Sequence, residues 1–269
     1  MKSILFYVNG DKPRAEAARA ALAAKAHALG LRETKRPVAD AVVALGGDGT
    51  ILHAVHEFPG VPVLGLNLGG LGYLSSVGED AFMTALEMLA AGRYAVSERN
   101  LLEVRKVGSR GRTAGIALND VVVQREQSGH PARLDLAADG KLVTRYMADG
   151  LIFATPTGST AYSLAAGGPV LMPDSGSVVV TPINPHALSV RPLVVSDGVT
   201  FTVTARARTE GNPDRVGVYA DGENVLALEE GESAVVSKSA RTAKLIALEG
   251  YDPYDVLARK LGWSGSAVG

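Results

Sequence analysis

Along the first third of the chain, short continuous apolar runs alternate with apolar positions at helical spacing. Ile4-Leu5-Phe6-Tyr7-Val8 is a buried-strand pattern that runs into Asn9-Gly10-Asp11, a turn signal. Pro13 suits a first helical turn, Ala18, Leu22, Ala26 and Leu29 follow on one helical face, and Gly30 supplies the stop. Val42 to Leu45 reads as a second strand, interrupted by Gly46-Gly47-Asp48-Gly49 before a helix over Thr50 to Glu57. Val61 to Leu66 is a third strand, and Asp80 to Ala91 a helix closed by Gly92. Strands that alternate with helices predict a parallel, doubly wound sheet.

Near Ser97 the period changes. Leu101 to Val107, Ile116 to Val123, Arg133 to Ala137, Lys141 to Met147 and Leu151 to Ala154 are strand-like runs separated by short turns. So are Ser177 to Thr181, Val199 to Val203, Val216 to Tyr219 and Ser233 to Ser237, with a single helix expected after Ser159. Tyr251 to Trp263 returns to helical character, with Val256, Leu257 and Leu261 on one face. The expected plan is an α/β domain over residues 1–97, Rossmann-like with a parallel sheet, and an all-β sandwich domain over 98–239. Residues 240–269 are expected to pack back on the first domain.

Composition narrows the function classes. With 46% hydrophobic and 20% charged residues, the 269-residue chain can bury real cores. Its 27 basic and 28 acidic side chains leave a net charge of −1, with no basic footprint for nucleic acid and no basic helix for a membrane surface. The absence of cysteine excludes disulfides, thiolate metal sites and cysteine nucleophiles. The run Ile4 to Val8 is shorter than a signal-peptide core, so a cytoplasmic protein is expected.

Gly46-Gly47-Asp48-Gly49-Thr50 stands between a strand and a helix. Its glycines allow a sharp turn and a close approach of N–H groups to phosphate oxygens, and the helix start adds a positive dipole end. Thr50 can cap the helix or donate to a phosphate. Asp48 fits neither purpose, since it repels the anion, and makes sense as a base for an incoming hydroxyl or as a metal holder. The plain alternative is a strand-to-helix turn with an Asx-type cap. Asn67-Leu68-Gly69-Gly70-Leu71-Gly72 repeats the theme after the third strand, and two such strand ends in one sheet face the same crevice.

A second constellation lies in the β-rich part. Asn119-Asp120 opens Val121-Val122-Val123, and Asp149-Gly150 leads through Leu151 to Ala154 into Thr155-Pro156-Thr157-Gly158-Ser159-Thr160-Ala161-Tyr162. The hydroxyls can bond a sugar and a diphosphate, or simply cap a short helix at Thr157 and Ser159. No His, Asp or Glu cluster has metal-ligand spacing.

These segments together resemble the NAD kinase family. The matching pieces, in family order, are GGDGT at Gly46–Thr50, NLGGLGYL at Asn67–Leu74, ND at Asn119–Asp120 and DGLIFATPTGSTAYSLAAGGP at Asp149–Pro169. PINPHALSVRPLVV at Pro182–Val195, DGE at Asp221–Glu223 and KLGW at Lys260–Trp263 follow. GGDGT alone is shared with lipid kinases and phosphofructokinases; the long Thr-Gly-Ser segment followed by PHALSVRPLVV is far more specific.

The resemblance implies a two-domain kinase with its substrate crevice between the domains, NAD and ATP as substrates, and a divalent ion (Mg2+ or Mn2+) that arrives with ATP. It implies Asp48 as the base that deprotonates the adenosine-ribose 2′-hydroxyl, with Gly46, Gly47, Gly49 and Thr50 near the transferred phosphate. Asn119, Asp120, Asp149, Thr157, Thr160, Ala161 and Tyr162 line the NAD site by the same match, and Asp221 either touches the substrate or makes a hairpin turn. It also implies a homo-oligomer, dimer or tetramer.

Two positions depart from the family pattern: Asp120 stands where glutamate is usual, and Met147 where many bacterial relatives have arginine. A neutral residue at 147 leads to activity expected on NADH as well as NAD. His53 is expected on the surface. His186 is expected in a core or inter-subunit hydrogen bond, and Arg191 in a salt bridge across the sandwich. A lipid kinase and a catalytically silent NAD(H)-binding regulator are the alternative readings. The first calls for an apolar pocket that the hydroxyl-rich second half does not offer, and the second leaves Asp48 unexplained.

Overall fold

The computed structural model describes residues 1–8, 13–34, 38–70, 72–74, 77–126, 130–206 and 215–263. The turn expected at Asn9-Gly10-Asp11 and Leu71 of the second glycine segment lie outside them. The chain divides into two compact units, Met1–Glu98 with Ala243–Gly269, and Arg99–Thr242.

The first unit runs β1 (Ser3–Val8), α1 (Pro13–Ala28), β2 (Arg32–Glu33), β3 (Ala41–Leu45), α2 (Asp48–Glu57), β4 (Val63–Leu66) and α3 (Phe82–Ala90), the last entered by a 3-10 turn over Glu79–Ala81. Its strands stand in the order β2-β1-β3-β4, all parallel. β3 is buried at every residue, as a central parallel strand covered on both faces must be. Leu22 and Ala26 of α1 pack with Leu86 and Leu89 of α3 over Val43, Leu45, Leu64 and Leu66.

The second unit opens with β5 (Tyr94–Lys106), which starts in the first, and continues β6 (Gly115–Ala117), β7 (Asp120–Arg125), β8 (Ala132–Ala138), β9 (Lys141–Ala148) and β10 (Gly150–Ala154). A short α4 (Tyr162–Ala165) precedes β11 (Ser177–Ile183), β12 (Leu193–Ser196), β13 (Phe201–Arg206), β14 (Val216–Ala220), β15 (Glu223–Leu228) and β16 (Ser233–Leu248). One antiparallel sheet has the order β12-β11-β10-β7-β14-β15. The facing one contains β16-β13-β8-β9. Alternate residues of the two sheets meet in one core, where Val121, Val123, Leu151 and Phe153 face Leu134, Leu136, Phe201 and Val203. The Phe153 and Phe201 rings are tilted at 5.2 Å between centroids.

The end of β16 belongs to the first unit, where Leu245 pairs in parallel with Val63 of β4. α5 (Pro253–Leu261) follows, capped by the Asp252 side chain on the Tyr254 N–H and closed by Gly262 in the left-handed region. Val256 and Leu257 are its buried residues, while Leu261, expected on the same face, is only partly buried. No helix of the described residues is long and apolar enough to cross a membrane.

The strand expected over Ile116 to Val123 is two strands broken at Leu118-Asn119. The cause is the Asp221 carboxylate, which takes the N–H groups of Leu118, Asn119 and Asp120 at 2.7, 2.8 and 3.1 Å.

Candidate functional site

In the first unit, β3 and β4 are neighbours in register, Leu45 beside Leu66, so their C-terminal ends bring the two glycine turns together. Gly46 donates its N–H to the Leu66 carbonyl at 2.9 Å. Gly46 has φ +154°, and a Cβ there would lie 2.2 Å from Thr50 Oγ1, so only glycine lets the turn close on the helix. Gly47 is the N-cap of α2 and contributes no side chain. Thr50 is therefore not the cap that the sequence suggested: it sits inside the first turn, buried against Gly46. With glycine at the cap, the exposed Gly47 and Gly49 leave the helix start open to an anion.

Asp48 is half-buried at the first position of α2. Its two oxygens accept the N–H groups of Tyr73 (2.8 Å) and Leu74 (3.1 Å), which ties the arm after the second glycine turn to the first. Asn67 holds the second turn from within: buried, it donates to the Gly70 carbonyl at 2.6 Å and accepts the Gly69 N–H at 2.8 Å. Lys260 lies over the Tyr73 ring at 5.4 Å, a cation beside the same arm. Lys260 was visible only as part of the KLGW segment. His53 is exposed on α2.

In the second unit the Thr-Gly-Ser segment packs on Asn119. A Cβ at Gly158 would lie 2.0 Å from the Asn119 carbonyl oxygen, so the two backbones touch only because residue 158 is glycine. Thr155, not Thr157 or Ser159, does the capping work: its hydroxyl donates to the Leu118 carbonyl at 2.6 Å and accepts the Gly158 N–H at 3.0 Å. Ser159 is used inside the turn, donating to the Pro156 carbonyl (2.7 Å) and accepting the Leu171 N–H (2.9 Å). Thr157 is nearly buried, Thr160 donates to its carbonyl at 3.2 Å, and Tyr162 is exposed on α4. Ala161 separates the two helical turns with an irregular backbone.

Asp120 begins β7 beside this segment, opposite Ala154 of β10, and is only 6% exposed. Burial, and then the Asp221 carboxylate, push its carboxyl up to about 7. Asp221 itself occupies a left-handed position in the Asp221-Gly222 hairpin turn between β14 and β15. Its carboxylate is engaged with the three N–H groups around Asn119, so within this chain it positions Asn119 and Asp120.

Asp149 stands apart from these residues. It precedes β10 while Thr155 follows it, and Asp120 pairs with Ala154 at the far end of that strand, five residues or about 16 Å away at about 3.3 Å per residue. Its oxygens take Arg125 Nε at 2.8 Å and Asn184 Nδ2 at 3.0 Å. The Arg125 bond, then that of Asn184, holds its carboxyl below the usual carboxylate range. Neither partner was singled out from the sequence, although Asn184 lies in the PINPHAL segment. His186 is exposed, which rules out the core half of the expected core or inter-subunit hydrogen bond, and its backbone N–H bonds the Met147 carbonyl. Among the described residues Arg191 makes no bridge across the sandwich; it donates to the carbonyls of Leu188 and Val190 in its own loop.

Residues 1–94 match the family model for the ATP-NAD kinase N-terminal domain, and residues 118–248 that for the ATP-NAD kinase C-terminal domain. An NAD kinase from Symbiobacterium thermophilum is 41% identical over 225 residues, 82% of this chain and 78% of the relative. One from Gemmatimonas aurantiaca is 38% identical over 240 residues, 88% and 82% of the two chains. Among solved structures, a crystal structure of yeast NADH kinase complexed with NADH superposes with a TM-score of 0.86 at 26% identity, covering 99% of this chain and 89% of that one. Matched along both its α/β part and its β-sandwich, the chain belongs to the NAD kinase family.

Proposed function

We propose that this chain transfers the terminal phosphate of ATP to the adenosine-ribose 2′-hydroxyl of NAD, with Asp48 as the base. The observation that carries this reading is a carboxylate at the head of α2, set between two glycine turns at the ends of adjacent parallel strands. The open helix start and the turn N–H groups suit phosphate, and the carboxylate suits the one proton that transfer to an alcohol must remove. In the second unit, Asn119, Asp120, Thr157, Thr160, Ala161 and Tyr162 supply the dinucleotide-facing groups, and Asp221 positions the first two.

A divalent ion, Mg2+ or Mn2+, accompanies ATP in this reading. Asp48 is the one carboxylate in the two glycine segments, and no group of three His, Cys, Asp or Glu among the described residues could hold a metal. The ion is therefore held chiefly by phosphate oxygens, where it offsets their charge.

Cytoplasmic location and homo-oligomeric assembly, as a dimer or tetramer, belong to the same proposal. Asp149 lies too far from Asp120 for the two to bond one ribose within a single chain.

Incubation with ATP, magnesium and either NAD or diacylglycerol, followed by product analysis, tests the reaction. NADP forms only with NAD, and Asp48→Asn lowers turnover by roughly 10²- to 10⁴-fold with NAD affinity kept. A loss below about tenfold removes Asp48 as the base, and phosphorylated diacylglycerol in place of NADP removes the reaction itself.

A further inference from the structure

Phosphate transfer at the glycine turns leaves a charge that the turns themselves do not balance. Gly46–Thr50 and Asn67–Leu74 contain no lysine or arginine, and Asp48 adds a negative charge where a triphosphate would approach. Turn N–H groups and an open helix start supply only partial positive charge. Kinase sites on other folds set a lysine on the phosphates to balance the charge that moves during transfer. Here a lysine does lie against the arm of the second turn, and it comes from the far end of the chain.

The last turn of α5 carries two basic residues and uses them differently. Arg259 stands one turn after Asp255 and is ion-paired with it at 2.6 Å. Lys260 stands one turn after Val256, one of the two residues that α5 buries, so its stem leaves from the packed side of the helix. It reaches the Tyr73 ring, with Nζ 5.4 Å from the centroid. Lys260 is exposed, and none of its three N–H donors is taken by a carboxylate or carbonyl among the described residues. Tyr73 links this cation to Asp48. Its backbone N–H bonds the Asp48 carboxylate at 2.8 Å, and burial, then that carboxylate, raise the pKa of its phenol. Asp48, Tyr73 and Lys260 thus join the head of α2 to the last turn of α5.

We infer, resting on the phosphoryl-transfer reading, that Lys260 is a binding residue for ATP whose ammonium takes triphosphate oxygens at the glycine turns, with the Tyr73 ring as the platform that aims it. Lys260 supplies the full positive charge that both glycine segments lack. Arg259, held by Asp255, stays on the solvent side and offsets the dipole at the end of α5.

Calorimetric titration with magnesium-ATP and, separately, with NAD tests this on the native full chain and on Lys260→Met, which keeps the stem on the ring and removes the charge. ATP should bind at least about tenfold more weakly, as a lost charge-assisted hydrogen bond requires, with NAD affinity kept within about twofold. Lys260→Arg should restore most of the ATP affinity, since the charge returns on a stem of similar reach. In steady-state kinetics the same loss should fall on the KM for ATP and spare that for NAD. Lys260→Gln takes the place of Lys260→Met if the latter does not fold. Native ATP affinity in a folded variant without the charge, an equal loss for ATP and NAD, or a loss in Lys260→Arg as deep as in Lys260→Met overturns the role of Lys260. A native chain that binds ATP but forms no NADP ends the kinase reading instead, and the ATP affinities of the variants still decide Lys260. A native chain that binds no ATP ends both.

Discussion

Replacing Asp120 with asparagine removes a carboxyl that burial and the neighbouring Asp221 carboxylate push up from 3.8 to about 7. Asn has nearly the same shape, so the variant isolates the cost of charge. Between pH 3.8 and about 7 the folded chain keeps a proton at Asp120 that the unfolded chain has released. Stability therefore falls as pH rises through that window, and the full cost applies above it. At 1.36 kcal/mol for each factor of ten in proton affinity, the ionised form costs roughly 4 kcal/mol, of which about 3 accrues between pH 5 and pH 8. Water entry and relaxation of the β7 end reduce that figure, so it is a ceiling. Urea unfolding of both proteins at pH 5, 6, 7 and 8, followed by circular dichroism, reads the difference directly. The gap in favour of Asp120→Asn should widen steadily with pH. Curves that stay parallel from pH 5 to pH 8 would refute the reasoning, because they would mean that Asp120 ionises in the folded chain as it does in water.

Gly158→Ala should destabilise the second unit by about 3 kcal/mol, since its Cβ meets the Asn119 backbone at 2.0 Å and neither partner is a flexible side chain. A native melting temperature in that variant would refute the contact. Light scattering on active protein at micromolar concentration should report a dimer or tetramer; an active monomer would remove the assembly proposal.

The parts of the fold legible in the sequence are those where one residue type forces a backbone state. Val42 to Leu45 announced a doubly covered strand because no polar residue interrupts it. α5 is legible from Val256, Leu257 and Leu261 at helical spacing, while its cap at Asp252 and its left-handed stop at Gly262 emerge only in the structure. The β16 strand was visible only as Ser233 to Ser237, whereas it continues to Leu248. Its middle, Lys238-Ser239-Ala240-Arg241-Thr242, reads as a loop because its side chains are mostly polar and its pairing partners lie far off in sequence. The glycine segments and Asn119-Asp120 were legible as candidate site pieces from local composition. The uses of Thr155 and Asp221 were not, since a hydroxyl's or a carboxylate's partner in a clamp is a backbone N–H or carbonyl, which every residue carries alike. Arg125 escaped for a related reason: its tie to Asp149 depends on the β7-β10 register, which no single segment encodes.

The parallel pairing of Leu245 with Val63 bears on how the chain comes to be folded during synthesis. The second unit is one continuous stretch and can close as soon as Thr242 has emerged. The first unit cannot: β4 waits for Leu245, made long after Val63, and the closure entropy of that long loop is met only then. Until that moment the ends of β3 and β4, with both glycine turns, sit at the rim of an unfinished sheet. Nascent chains released before Leu245 should thus carry a formed sandwich but an open α/β edge, the species that chaperones and proteases would meet first.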